Sequence, residues 1–200
     1  MSNAPGVAGQ PPQRADARRN AGSVLEAAAE VFVTSGVDAP IREIAGRAGV
    51  GTATIYRHYP TRADLIVAVY RSQVQSLSAA GPALLAAEPS PHEALTKWVD
   101  QFVDFVVTKQ GMALVLQSSE ACYDPLHDYF VEHLVPVCTR LLEAAAEAGE
   151  IVAGQDAHEL MRGVGSICAG ATDKEIRYDV RHLVRLLING LRSGSSPGAR

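Results

Sequence analysis

Between Ile41 and Pro60 the sequence IREIAGRAGVGTATIYRHYP holds two helical stretches, Ile41 to about Ala48 and Thr52 to about His58, separated by Gly49-Val50-Gly51. Stretches this short do not persist as helices in water, because nucleation costs more than a few backbone hydrogen bonds return. They must fold against a neighbour and against each other. A glycine at the turn, with small apolar residues on both sides, allows two helices to cross closely. Ala45 permits the approach, and Val50 and Ile55 fill the crossing. Pro60 closes the second stretch, since a residue before proline is driven out of the helical region.

The rest of the chain reads as helix as well. No segment alternates apolar and polar residues at period two for long enough to build a sheet. A first helix is expected from about Arg18 to Thr34, with Val24, Leu25, Ala28, Ala29, Val31 and Phe32 on its inner stripe and Ser35-Gly36 at its end. Thr61, with Asp64 at the capping-box position, starts a long fourth helix that is expected to end near Gly81-Pro82. After the linker Glu88-Pro89-Ser90-Pro91, a helix from about His92 to Lys109 carries Leu95, Trp98, Val99, Phe102, Val103, Phe105 and Val106 around most of its circumference, which suits a central position. Gly111 to Glu120 is expected to be a shorter helix or turn. Asp124 is then the expected cap of a long helix whose first residue is Pro125, kinked or split at Pro136 and ending near Gly149. Two further helices are expected over about Asp156 to Ala169 and Lys174 to Leu191.

The expected architecture is all-α. A three-helix N-terminal helix-turn-helix domain, 18–64, is joined by the long fourth helix to a second helical domain, 65–192. Residues 1–17 and 193–200 read as disordered tails by composition. Arg14, Arg18 and Arg19 at the end of the first tail suit either a solvated arm or one that reaches DNA.

The chain has 200 residues and a net charge of −4. That overall charge argues against a general nucleic-acid coat. The distribution is uneven: residues 1–75 carry +2 and residues 76–200 carry −6. Only the first part is suited to a polyanion, and a few well-placed phosphate contacts suffice for DNA binding. Three widely spaced cysteines, Cys122, Cys138 and Cys168, make no disulfide framework and fit a reducing, cytoplasmic setting. Neither a signal peptide nor a membrane-spanning run is read in the sequence, so no membrane partner is expected.

The outward face of the stretch from Thr52 to His58 presents Thr52, Thr54, Tyr56, Arg57 and His58, a compact group of hydrogen-bonding side chains with no carboxylate. A helix of this width fits the DNA major groove. His58 equally suits the end of a helix, where the dipole favours a cation. From about Arg19 to Tyr70 the chain resembles the DNA-binding domain of the TetR family of transcriptional repressors. The matching residues are Ile44-Ala45, Ala48-Gly49-Val50, Thr54-Ile55-Tyr56-Arg57-His58-Tyr59, Arg62, Asp64 and Leu65, in register without a gap. Residues 92–192 resemble the SbtR-like C-terminal subgroup of that family through Ala94-Leu95, Trp98, Phe102, Thr108-Lys109-Gln110-Gly111 and Ala148-Gly149-Glu150-Ile151. The resemblance implies a homodimer, a palindromic double-stranded DNA operator and a small-molecule effector, and makes residues 65–192 a ligand-binding and dimerisation domain; no cofactor is assigned. By position it implies DNA contact for Arg42, Thr54, Tyr56, His58 and Arg62. Exposure and chemistry add Thr52 and Arg57.

The chain departs from the family pattern at two helix starts. Pro40 stands where Ser or Thr is usual, so that Asp38 or Glu43 would have to serve the helix start. Gly51 stands where Ser is usual, an acceptable cap. Arg62 replaces the commoner lysine and keeps the charge.

Trp98, Phe102, Phe105, Met112, Leu116, Tyr123, His127, Cys138 and Met161 are the candidates to line an effector pocket, with Tyr123 and His127 as polar anchors. The same residues would serve as ordinary core. Asp124, His127, Asp128 and Glu132 have spacings a metal could use, but they also read as the solvated first turns of a helix, and no metal site is assigned. No phosphate loop, nucleophile elbow or HExxH motif occurs, so the chain is not read as an enzyme. A helical interaction module without a ligand is the other reading; it would pack its C-terminal domain solid. Gly163, Gly165, Ala169 and Gly170, with Leu183, Leu186, Leu187 and Leu191, are the residues expected at a two-fold helical interface.

Overall fold

The computed structural model describes residues 12–117, 120–170 and 178–192, with the side chains of 12–20, 110–111 and 113–124 outside the description. Among the described residues there are eight helices: α1 (Pro12–Ser35), α2 (Ile41–Ala48), α3 (Thr52–His58), α4 (Arg62–Ala87), α5 (Pro91–Gln117), α6 (Glu120–Glu147), α7 (Ala157–Gly170) and α8 (Val180–Gly190). The only extended pairing among them is a single antiparallel bridge between Ile151 and Arg192. The all-helical class is as expected. The chain divides into two compact units, Met1–Val69 and Tyr70–Arg200, and the division falls inside α4.

In the first unit, Val24, Ala28, Val31 and Phe32 of α1 are buried with Ile44 and Ala45 of α2 and Ile55 of α3. This is the small core that the two short helices need. Gly49 ends α2 at φ 67°, the left-handed conformation that costs glycine nothing, and its N–H is directed to the Ala45 and Gly46 carbonyls. Val50 N–H closes the turn on the Ala45 carbonyl at 3.0 Å. No side chain caps α2 or α3. Glu43 instead accepts a 2.7 Å hydrogen bond from Ser35 Oγ. The capping box before α4 forms as expected: Thr61 N–H donates to Asp64 Oδ2 at 2.9 Å, and Asp64 N–H to Thr61 Oγ1 at 3.1 Å. The Thr61 hydroxyl and backbone hydrogen bonds hold the Asp64 carboxyl below its ordinary pKa.

The second unit is built around α5. Ala94, Leu95, Trp98, Val99, Phe102, Val103, Phe105 and Met112 are all buried, so the helix is central. Leu134, Cys138, Leu141, Leu142 and Ala145 of α6 and Leu160, Met161, Val164 and Cys168 of α7 pack in the same unit. Val184 and Ile188 are the buried face of α8, and Arg181 ties α8 to Asp100 and Asp104 of α5.

Several helix ends differ from those expected, for related reasons. Helix α1 begins at Pro12, a residue whose fixed φ suits a first helical position, and so takes in part of the expected tail. Helix α4 runs through Pro82 to Ala87. The ring removes one hydrogen bond but does not end the helix. Gly81 is buried there, and a Cβ on it would collide with the Val137 side chain, so this stretch of α4 lies close on α6. Helix α5 continues through Gly111 to Gln117, because burial of Met112 outweighs a glycine penalty of about 1 kcal/mol. Helix α6 starts at Glu120 and contains both Pro125 and Pro136, which makes Asp124 an interior residue rather than a cap. The real caps are Asp156, which accepts from Glu159 N–H at 2.8 Å, and Asp179, which accepts from His182 N–H at 3.1 Å. The expected start of the last helix at Lys174 lies outside the described residues.

Candidate DNA-reading helix and effector pocket

Helix α3 turns a single large apolar side chain inward. Ile55 is 1% exposed, whereas Thr52, Tyr56, Arg57 and His58 are exposed and Thr54 is half-buried. Around a seven-residue helix this leaves most of the circumference free for contact with another molecule. Tyr56 is 54% exposed, unusual for so large a ring. No acidic residue lies on α3, so its surface does not repel phosphate. Arg42 is exposed in the first turn of α2. Tyr59, beyond the helix, is half-buried, which raises its hydroxyl pKa.

Arg62 is placed differently from the position-based expectation. Its side chain turns inward, Nη2 donates to the Ala39 carbonyl, and its guanidinium lies over the Phe32 ring at 5.6 Å. Nη1 is buried without a hydrogen-bond partner among the described residues. The fork that suits a phosphate is thus used to fasten the start of α4 to the loop before α2.

The second unit contains a cavity of about 320 Å³. Phe102, Phe105, Val106, Phe130, Val135 and Met161 form its apolar walls, and Gly165 leaves room in the α7 side. Lys109, His127, His158 and Arg162 also line it. The rings are mutually stacked: Phe105 lies 5.9 Å from Phe130 and 6.1 Å from Phe102, and His127 lies 6.2 Å from Phe130. Lys109 Nζ sits 5.4 Å from the Phe130 centroid, and burial lowers its pKa.

Of the residues read from sequence as pocket candidates, Phe102, Phe105, His127 and Met161 line this cavity. Trp98, Met112 and Cys138 do not. Trp98 is fully buried, donates Nε1–H to the Leu77 carbonyl at 2.9 Å and stacks on Phe102 at 5.7 Å. Met112 is core, and burial pushes the Cys138 thiol pKa up to about 12, which leaves it an inert apolar group. The Leu116 and Tyr123 side chains, like Cys122, lie outside the description. The sequence reading missed Val106, Lys109, Phe130, Val135, His158 and Arg162 as lining residues. The spacing of Arg162 from His158, i and i+4 on α7, with Met161 and Gly165 between and beyond, was the signal available. Among the described residues, no group of three His, Cys, Asp or Glu side chains is placed to hold a metal ion, and no helix is long and apolar enough to cross a membrane.

At the proposed two-fold face, Leu183 and Leu186 are exposed, the latter by 54%. The three glycines expected there have different surroundings. A Cβ on Gly163 would lie 3.8 Å from Leu187, one on Gly170 would strike the Tyr178 hydroxyl, and Gly165 lines the cavity.

Residues 24–69 match the model of bacterial regulatory proteins of the tetR family, and residues 90–193 match that of the SbtR-like transcriptional regulator C-terminal domain. A crystal structure of a TetR transcriptional regulator from Streptomyces coelicolor is 35% identical, covering 88% of this chain and 99% of that one, with a TM-score of 0.76. A TetR transcription regulatory protein from Mycobacterium vanbaalenii is 32% identical, covering 91% and 100%, with a TM-score of 0.71. The HTH-type transcriptional activator FasR of Mycolicibacterium smegmatis is 32% identical over 130 residues, 56% of this chain, and the match spans 58% of that relative's length. These relatives are regulators, not enzymes. With a helix-turn-helix in its first unit and a helical second unit that matches the SbtR-like model, the chain belongs to the TetR family of bacterial transcriptional regulators.

Proposed function

We propose that the chain is a ligand-responsive repressor that works in the cytoplasm, binds a palindromic operator as a homodimer and leaves it when a small molecule fills the second unit. The observation that carries the DNA reading is the surface of α3, where Ile55 alone is fully buried and Thr52, Tyr56, Arg57 and His58 are exposed without a carboxylate beside them. Thr52, Thr54 and Arg57 suit base edges: a guanidinium matches the guanine edge, and threonine methyls match thymine. Arg42, Tyr56 and His58 suit the sugar-phosphate backbone, which fixes register without reading sequence. Exposed Leu183 and Leu186 on α8 support a second copy as the cover for that face.

The cavity supports the effector role, since a helical unit serving only as a scaffold has no use for about 320 Å³ of space walled by stacked rings. One relative is named an activator. The same binding chemistry serves either sign of regulation, and a promoter reporter in the presence and absence of the protein reads which applies.

The test of the DNA assignments is a salt titration on operator, single-base variants and random duplex. Arg42→Ala is expected to weaken all three by similar factors and to flatten the salt slope by roughly 1 unit. Arg57→Ala is expected to erode discrimination by roughly 1–3 kcal/mol at the base pair it reads. Full base discrimination in Arg57→Ala, with a reduced salt slope, would move Arg57 to the backbone class.

A further inference from the structure

The cavity has a chemical polarity that the family assignment does not supply. Its walls are Phe102, Phe105, Val106, Phe130, Val135 and Met161, of which Phe102, Phe105 and Met161 are at most 5% exposed. A charge held among them would lose its hydration without replacement. Every titratable side chain among the described lining residues, Lys109, His127, His158 and Arg162, is basic in type, and none is acidic. His127, His158 and Arg162 are exposed, so they stand at the mouth rather than in the apolar interior. Arg162 makes no ion pair or hydrogen bond among the described residues. Among the carboxylates near these positions in sequence, Asp104 pairs with Arg181 and Asp156 caps α7, while Asp128 and Glu159 are exposed and do not line the cavity. Apolar walls beneath a basic mouth fit a ligand with an apolar body and an anionic head.

We infer that this cavity takes a small apolar acid, its body among the stacked rings and its carboxylate or phosphate at Arg162, with His158 and His127 as further donors. The inference rests on the reading of the cavity as the effector site and names the class of effector. The volume sets the scale of the body. About 320 Å³ lies at the lower end of the roughly 300–1,000 Å³ found for small-molecule sites, so a medium-length chain or one aromatic ring with a short tail fits. A cationic ligand meets four basic lining residues and is disfavoured, and a neutral one forgoes the charge pairing with the guanidinium.

The experiment is titration calorimetry on the full chain with decanoate and phenylbutyrate, each beside its neutral amide, and with decyl phosphate. The acids are expected to bind about tenfold or more tightly than their amides, the scale of a charge-assisted hydrogen bond. Arg162→Gln, on an exposed side chain that leaves the core untouched, is expected to remove most of that preference by weakening the acids far more than the amides. Gly165→Phe is expected to weaken acid and amide together. Whether decyl phosphate or decanoate binds more tightly assigns the head group, and either order supports an anion site. Amides that bind as well as acids, an acid preference that survives Arg162→Gln, or no binding of any probe to protein whose helical circular dichroism is intact would overturn the inference. The effector reading fails separately. Acid binding at the site without release of bound DNA removes the inducer role and leaves the acid site standing. DNA release by the amide as readily as by the acid does the reverse.

Discussion

Trp98→Ala is expected to destabilise the second unit by about 3–5 kcal/mol, the range for deleting a buried tryptophan side chain. Three observations set that size. Trp98 has no exposed surface, its Nε1–H donates to the Leu77 carbonyl at 2.9 Å inside the protein, and its ring stacks on Phe102. Removing it opens a void between α4 and α5 and cancels a buried hydrogen bond at the same time. Urea denaturation followed by circular dichroism measures the effect as a fall in midpoint with little change in slope. A variant as stable as the parent, altered only in ligand binding, would return Trp98 to the pocket.

Arg62→Ala is expected to cost the first unit about 2–4 kcal/mol, combining a hydrogen bond from a charged donor to the Ala39 carbonyl with the cation–π contact on Phe32. Arg62→Lys keeps the charge but lacks the planar fork and recovers only part of the loss. DNA binding falls in both variants through loss of folded protein. At low temperature, where the variants are folded, the salt slope for random duplex is therefore expected to stay at the parent value. A slope flattened by about 1 unit in folded Arg62→Ala would instead identify a phosphate contact.

Arg62 shows where sequence reasoning stops. The residue type, its place after the third helix and its match to a family position all pointed outward. Its inward turn depends on Phe32 and Ala39, residues 30 and 23 positions earlier, which local pattern cannot bring beside it. The helix-turn-helix was legible because its determinants are local. Gly49 at positive φ and the Thr61–Asp64 box are set by neighbours within a few residues, and Ile44, Ala45 and Ile55 stand out as small or branched apolar residues in two short, largely polar helices, although α1 supplies the cover for α2. The second unit was legible as helix and as an α5-centred core, but its helix ends were not. Pro82, Gly111, Pro125 and Pro136 are breakers by propensity, yet each lies inside a helix; Gly81, Met112 and Leu126 beside the first three, and Leu134 and Cys138 on either side of Pro136, are buried, and that tertiary packing outweighs the local penalty. The pocket was half legible. Sequence separates apolar from polar residues, so it found Phe102, Phe105 and Met161. It could not distinguish a ring that faces a cavity from one that faces the core, as with Trp98, nor see that Lys109 and Arg162 face the same space from different helices.

The central claim is that a two-fold pair of these chains reads DNA through α3. Selection of duplexes from a randomised pool by the purified full chain, followed by footprinting of the enriched sequence, tests it most directly. The account predicts one enriched sequence with two half-sites related by two-fold symmetry, protected together, and loss of the enrichment when Thr52, Thr54 and Arg57 are replaced by alanine in protein that still folds. No enrichment over the random pool, or an enriched sequence that the triple variant selects equally well, would contradict it.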